Sequence, residues 1–378
     1  MNNVITNIIN KHNPKESFYI IDLEKIKNLY KNWMSLLPLV KPYYAVKSNN
    51  NLILLKTLNS LGVNYDCASK KEIQTILDLT NDPSRIIFAN PCKLVSHLEY
   101  AREQSVHLMT FDCQEELYKI KKYHANSRLI LRLAVDDSKS IIKFNIKFGC
   151  SLNNVETLLL LAKQLDLNIV GFSFHVGSNN YYPESYYNAI KDSKTAYDIA
   201  ISLDIRPTII DIGGGFSSLN RFEETAFEIN RAIHDFFNEE ILNKSIEFIG
   251  EPGRYFSETT HTLVLSVIGK KFSITDNTMI YTLNESIYNS FNCIIFDYCI
   301  PKLIPLYPQN PDILYKSRFF GYTCDSLDLI SDNIDIPLLN IDDVLYIENF
   351  GAYTYVASSS FNGFESSKMF YDMDGREL

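Results

Sequence analysis

The chain has 378 residues, 46% of them hydrophobic and 21% charged, and its 36 Lys and Arg against 45 Asp and Glu give a formal net charge of -9. This is an ordinary globular composition with room for a large core, and its acidic balance speaks against nucleic-acid binding or a basic membrane-surface patch. No apolar run approaches the ~18 residues of a membrane span, and residues 1–17 lack the pattern of a secretory signal, so a cytoplasmic protein is expected. The seven cysteines, Cys67, Cys92, Cys113, Cys150, Cys293, Cys299 and Cys324, are scattered and never in C-x-x-C spacing, which predicts reduced thiols and no metal site.

In chain order, residues 18–21 read as a short strand. Asp22 then stands where it can cap a helix whose apolar residues Ile26, Leu29, Tyr30, Trp33 and Leu37 fall three and four apart. A strand over 43–47 follows, an apolar run that ends on Lys47. A β-prone run delivering one amine at its carboxyl end predicts a lysine in a partly dry place, where its pKa falls and it can attack carbonyls. A solvated loop lysine is the plainer alternative.

Further strand-like runs lie at 64–68, 86–89, 108–111, 129–133, 169–175, 208–212 and 246–250, separated by amphipathic stretches such as 51–61, 69–78 and 184–203. Eight strands with seven helices between them predict a (β/α)8 barrel over residues 23–260, in the α/β class. A doubly wound open sheet competes, because strand count alone cannot close a barrel. From Thr262 onward Val, Ile, Tyr and Thr mix with turn residues and show little helical period. This predicts a mostly β C-terminal domain of residues 261–378, joined by residues 1–22 through the strand at 18–21.

In a barrel, chemistry sits at the carboxyl ends of the strands. Lys47, Asp66, Ser69, Asn90, Arg132, His175, Ser178, Gly213, Gly214, Gly215, Glu251 and Arg254 all fall there. One rim therefore collects them. The three glycines let backbone N–H groups approach an anion, which the position after strand seven favours over a mere tight turn, and Arg254 can meet the same anion. A carboxylate such as Glu251 can keep a pyridine nitrogen protonated, unless it only pairs with Arg254. His175 is a stacking surface, a proton-transfer group or a satisfied core histidine.

Six segments together resemble the eukaryotic-type ornithine decarboxylases. They are Pro42-Tyr-Tyr-Ala-Val-Lys47, Phe174-His-Val-Gly-Ser178, Asp211-Ile-Gly-Gly-Gly215, Glu251-Pro-Gly-Arg254, Cys324-Asp325, and Gly351-Ala-Tyr353 with Phe361-Asn-Gly-Phe364. The wider group is the fold-type III, pyridoxal-phosphate-dependent decarboxylases of basic amino acids, so a barrel with an alanine-racemase-like β domain is implied. The resemblance implies that Lys47 carries the cofactor in Schiff-base linkage, that His175 stacks on the pyridine ring and that Glu251 pairs with its nitrogen. It implies phosphate contacts from Gly213, Gly214, Gly215, Ser178, Arg254 and Tyr353, with Asp66, Glu72 and Arg132 completing the pocket.

By the same resemblance the protein is a homodimer with active sites shared across the interface. Cys324 would protonate the substrate carbon after CO2 leaves, Asp325 would bind the distal amine, and Asp297 and Phe361 would line the substrate pocket. Lys147 and Asp328 match a cross-subunit ion pair. Asp297 favours ornithine, giving putrescine; arginine or lysine as substrate, a non-catalytic antizyme-inhibitor-like protein and a racemase are the alternatives. Tyr322 and Ser326 stand where the family loop usually has proline and glycine.

Overall fold

The computed structural model describes residues 1–373 and 376–377. The chain divides into two compact units, Lys27–Phe256 and a second made of Met1–Ile26 with residues 257 onward.

The first unit is a closed barrel of eight parallel strands: Val40–Ala45, Asn64–Cys67, Ile86–Phe88, Leu108–Phe111, Arg128–Arg132, Asn168–Ser173, Ile209–Asp211 and Glu247–Gly250. The last strand pairs with the first, Phe248 with Val40 and Gly250 with Pro42, and this closure excludes the open sheet. Seven helices fall between successive strands, from Leu52–Ser60 to Phe222–Leu242. They form on their apolar stripes, and the first two also carry side-chain caps: Asn51 caps the first through Ile53 and Leu54, and Ser69 caps the second through Glu72. Trp33, fully buried, lies against Phe222 at 5.5 Å and Tyr255 at 5.3 Å, and its Nε1 donates to the Val40 carbonyl at 3.0 Å. A two-stranded ribbon, Ser140–Ile142 with Ser178–Asn180, joins the loops after strands five and six.

The second unit is a nine-stranded sheet. Phe18–Asp22 sits inside it, antiparallel to His261–Ser273 and parallel to Lys368–Met373, as the early strand at 18–21 predicts. The helix Asn2–His12 joins the mostly β unit. Its Ile5 and Ile8 bury against Phe18, Ile20, Val264 and Leu306. Among the described residues no helix is long and apolar enough to cross a membrane.

Candidate active site

The barrel interior is a packed layer of Tyr43, Ile87, Ala89, Leu108, Ile130, Val170, Ile209 and Ile249. Side chains alternate along a strand, so the residue two further on points the same way. From Ile130, Ile209 and Ile249 that residue is Arg132, Asp211 and Glu251. Asp66 stands in register with Ile87 and Ala45. A ring of ionisable groups thus lies directly above an apolar floor. Lys47 follows strand one in a short 3-10 turn, Val46–Ser48, and its Nζ donates to Asp66 Oδ2 at 3.1 Å.

The dry setting expected for Lys47 is not found. Its side chain is 43% exposed while Asp66 is 1% exposed, because the turn lifts the amine onto the open end of the barrel. The burial falls on the acids instead. Asp211 is fully buried and Glu251 nearly so, and the two carboxyls lie within hydrogen-bonding reach of each other. Burial pushes Asp211 up to about 7, with Asp66 raising it further, while the Gly213 N–H, the contact with Glu251 and Arg132 pull it down; burial, then Asp211 and Asp66, push Glu251 well above the carboxylate range against Lys47 and Arg132. Arg132 is itself lowered by burial and lies 4.9 Å from the Phe148 ring.

His175 stands at the mouth, its ring edge-on to Phe144 at 4.7 Å. Burial, then Arg132 and Lys47, push its imidazole well below its ordinary value, so it is neutral. Its Nδ1 accepts from Gly177 N–H at 3.0 Å, which leaves the proton on Nε2. Glu72 is a helix-start residue as much as a pocket residue: its Oε2 accepts from Ala68 N–H at 2.5 Å, and Ser69 Oγ accepts from its own N–H at 3.3 Å. Burial raises the Glu72 carboxyl.

The three glycines are required by space. A Cβ on Gly213 would lie 2.0 Å from the Phe174 carbonyl oxygen, on Gly214 2.7 Å from that of Glu251, and on Gly215 2.5 Å from that of Gly177. Gly213 and Gly215 also have φ of 65° and 101°. Beside them Arg254 donates to Ser178 Oγ at 3.2 Å, both residues buried. Backbone amides, a hydroxyl and a guanidinium in one corner suit a phosphate.

The barrel mouth also fits the rest of a pyridoxal phosphate. Asp66 Oδ1, Asp211 Oδ2, Glu251 Oε1 and Arg132 Nε are buried and have no hydrogen-bond partner among the described residues. Such groups are costly unless something polar meets them.

In the β unit, Cys324 is exposed and its N–H donates to Asn362 Oδ1 at 3.0 Å, next to Phe361. Asp325 accepts from Leu327 N–H at 2.9 Å and from the Tyr288 hydroxyl, and these two bonds hold its carboxyl below the usual range. Tyr288 stacks on Phe361 at 4.3 Å. Cys324, Asp325 and Phe361 are therefore assembled locally. Asp297 is buried, ending the short helix Cys293–Phe296. Tyr353 adopts φ of 55°, a left-handed conformation that is strained for an aromatic residue. Tyr322 fills the place of the usual proline with a ring 4.0 Å from Phe364 and a hydroxyl accepting from Asn289 at 3.1 Å.

Asp328 has partners within its own chain. It is fully buried within one chain and accepts from Ser286 Oγ at 2.8 Å, Ile287 N–H at 3.0 Å, and the Thr323 N–H and hydroxyl at 3.1 and 2.6 Å. Two residues of the mouth escape a motif reading, Asp211 and Phe144. Asp211 lay in plain sight at the head of Asp211-Ile-Gly-Gly-Gly215; its inward register, two residues past Ile209, was the available signal.

The family model described as the pyridoxal-binding domain of the pyridoxal-dependent decarboxylases matches residues 23–258. The chain is 40% identical to antizyme inhibitor 2 of Xenopus laevis, over 98% of this chain and 84% of that one. It is 40% identical to ornithine decarboxylase of Schizosaccharomyces pombe, over 94% and 83%. The crystal structure of the Paramecium bursaria Chlorella virus arginine decarboxylase bound to agmatine superposes with a TM-score of 0.94 at 41% identity, over 98% of this chain and 100% of that one.

Proposed function

The chain belongs to the pyridoxal-dependent decarboxylases, and from that membership we propose that it converts L-ornithine to putrescine and CO2. The observation that carries the reading is the ring of buried, partnerless ionisable atoms above the apolar barrel floor, beside the glycine cradle. When bound, pyridoxal phosphate supplies a ring that accepts the electron pair left by a departing carboxylate.

The protein's own groups have these parts in the proposal. Lys47 anchors the cofactor as an amine nucleophile, and Asp66 holds that amine in place at 3.1 Å. Gly213, Gly214, Gly215, Ser178, Arg254 and Tyr353 bind phosphate. Glu251 keeps the pyridine nitrogen protonated, Arg132 balances the buried acids, and neutral His175 offers a flat face that brings no charge to the ring. Cys324 Sγ delivers a proton to the substrate α-carbon. Asp325, Asp297 and Phe361 form the pocket for the distal ammonium, where the carboxylates match its charge.

From the likeness to the decarboxylase family we propose a homodimer in the cytoplasm as the working form, with Asp325 and Cys324 of one chain serving the barrel of the other. Asp297 favours ornithine through the short reach of an aspartate. The likeness to an arginine decarboxylase keeps arginine as the competing substrate, and the likeness to an antizyme inhibitor keeps a non-catalytic protein as the competing class. Side-by-side CO2 release from ornithine, lysine and arginine decides among them. The highest kcat/KM is expected for ornithine; a higher value for arginine overturns the substrate, and no release together with no cofactor uptake overturns the enzyme.

A further inference from the structure

Asp211 has a use that the reaction as described leaves open. It ends barrel strand seven, and Glu251 follows the end of strand eight; Asp211 pairs in register with Ile249, so Glu251, two residues on, faces the same interior. Asp211 Oδ1 accepts from Gly213 N–H at 2.9 Å, and the Glu251 N–H donates to the Gly213 carbonyl at 2.6 Å, so the glycine turn fixes both backbones. The side chains meet in the dry interior, with Asp211 Oδ2 and Glu251 Oε1 lacking any donor among the described residues. Two buried carboxyls held on adjacent strands around one glycine turn, away from water, are costly to ionise together; one proton between them supplies the missing donor. The charged groups facing the pair are Asp66 from strand two, Lys47 beyond strand one and Arg132 from strand five. Asp66 and Lys47 pair with each other, and Arg132, which faces both Asp211 and Glu251, is a cation that tolerates a further negative charge.

We propose that Asp211 is a positioning residue that shares one proton with Glu251 and surrenders it when the cofactor's pyridine ring settles against Glu251. The inference rests on that ring occupying the barrel mouth. In the step, the carboxyl O–H bond breaks and the proton passes to an unprotonated ring nitrogen, forming N–H. If the ring arrives already as a pyridinium, the proton leaves to water. Either way the pair ends as two carboxylates, balanced by the pyridinium and Arg132. Asp211 thereby stores a proton for Glu251 and aims the Glu251 oxygen at the ring.

The test uses pyridoxine 5'-phosphate, which lacks the aldehyde and so takes no part in Lys47 chemistry. Difference infrared spectra of the full chain, with and without this analogue at neutral pH, follow the protonated-carboxyl band. Wild type is expected to lose one such band on binding, and D211N, whose amide keeps the Gly213 and Glu251 contacts, is expected to show no loss. Calorimetry in buffers of different ionisation enthalpy should find about one proton more given up per analogue bound by wild type than by D211N. The wild-type spectrum stands by itself if D211N does not fold. Binding with no band lost in wild type, or with the same loss in D211N, overturns the inference alone. No binding to wild type overturns the cofactor site and the inference with it.

Discussion

Single residues carry the chemistry here through where burial puts charge. Cys324 is exposed and held only through its backbone, so removing its thiol should leave the fold intact. For C324A a fall in kcat of about 10²–10⁴-fold, typical of a lost proton donor, is expected with an unchanged melting temperature. A loss of stability instead would make Cys324 a packing residue. His261 is a second case. It is 1% exposed, accepts or donates to the Thr260 hydroxyl at 2.9 Å, and burial lowers it to about 4 from an ordinary value near 6.5. The unfolded chain therefore binds a proton at this residue before the folded one does. Stability should fall as pH drops from about 6.5 to about 4, by up to roughly 3 kcal/mol from this group. Neutral His175 adds to the loss in the same direction. Urea midpoints across this range check it, and H261N should flatten the slope.

Elements show which features of the strands were legible. Each barrel strand is a short apolar run, so all eight could be found within a few residues of their places, whereas the pairing of Phe248 with Val40 that closes the barrel leaves no local mark. The glycines drew attention to an anion site and away from Asp211 beside them. The helix Asn2–His12 has its apolar residues at helical spacing, but with 11 residues and no side-chain cap at its start it leaves a faint local signal. The glycine turn gives a sharp contrast. G213A should destabilise by more than about 2 kcal/mol, since a left-handed φ is joined by a 2.0 Å clash with the Phe174 carbonyl oxygen. G62A has φ of 82° but nothing within 4 Å of its Cβ, and should cost only about 1–2 kcal/mol. Equal effects would rule out close packing as the reason for glycine at 213. Trp33, the single tryptophan, reports on the same barrel: W33A should cost about 3–5 kcal/mol in chemical denaturation by opening a cavity against Phe222 and Tyr255.

At the scale of the whole molecule, the proposed shared-site homodimer makes a prediction that no single chain can satisfy. K47A and C324A should each be nearly inactive, yet a mixture should regain up to about a quarter of wild-type activity, because random hybrids carry one intact site of two. Sedimentation showing an active monomer, or a mixture that stays inactive, contradicts the arrangement. Within one chain, Asp328 ties the β unit to itself. Its four bonds grip Ser286, Ile287 and Thr323, at the root of the loop whose tip bears Cys324 and Asp325. A loop clamped at its root and open at its tip can change what it touches without changing what it stands on. If Asp325 and Phe361 line the amine pocket as proposed, variation there and at Ser326 is where this scaffold can drift toward a new amine, while Asp328 is the residue such drift must leave alone.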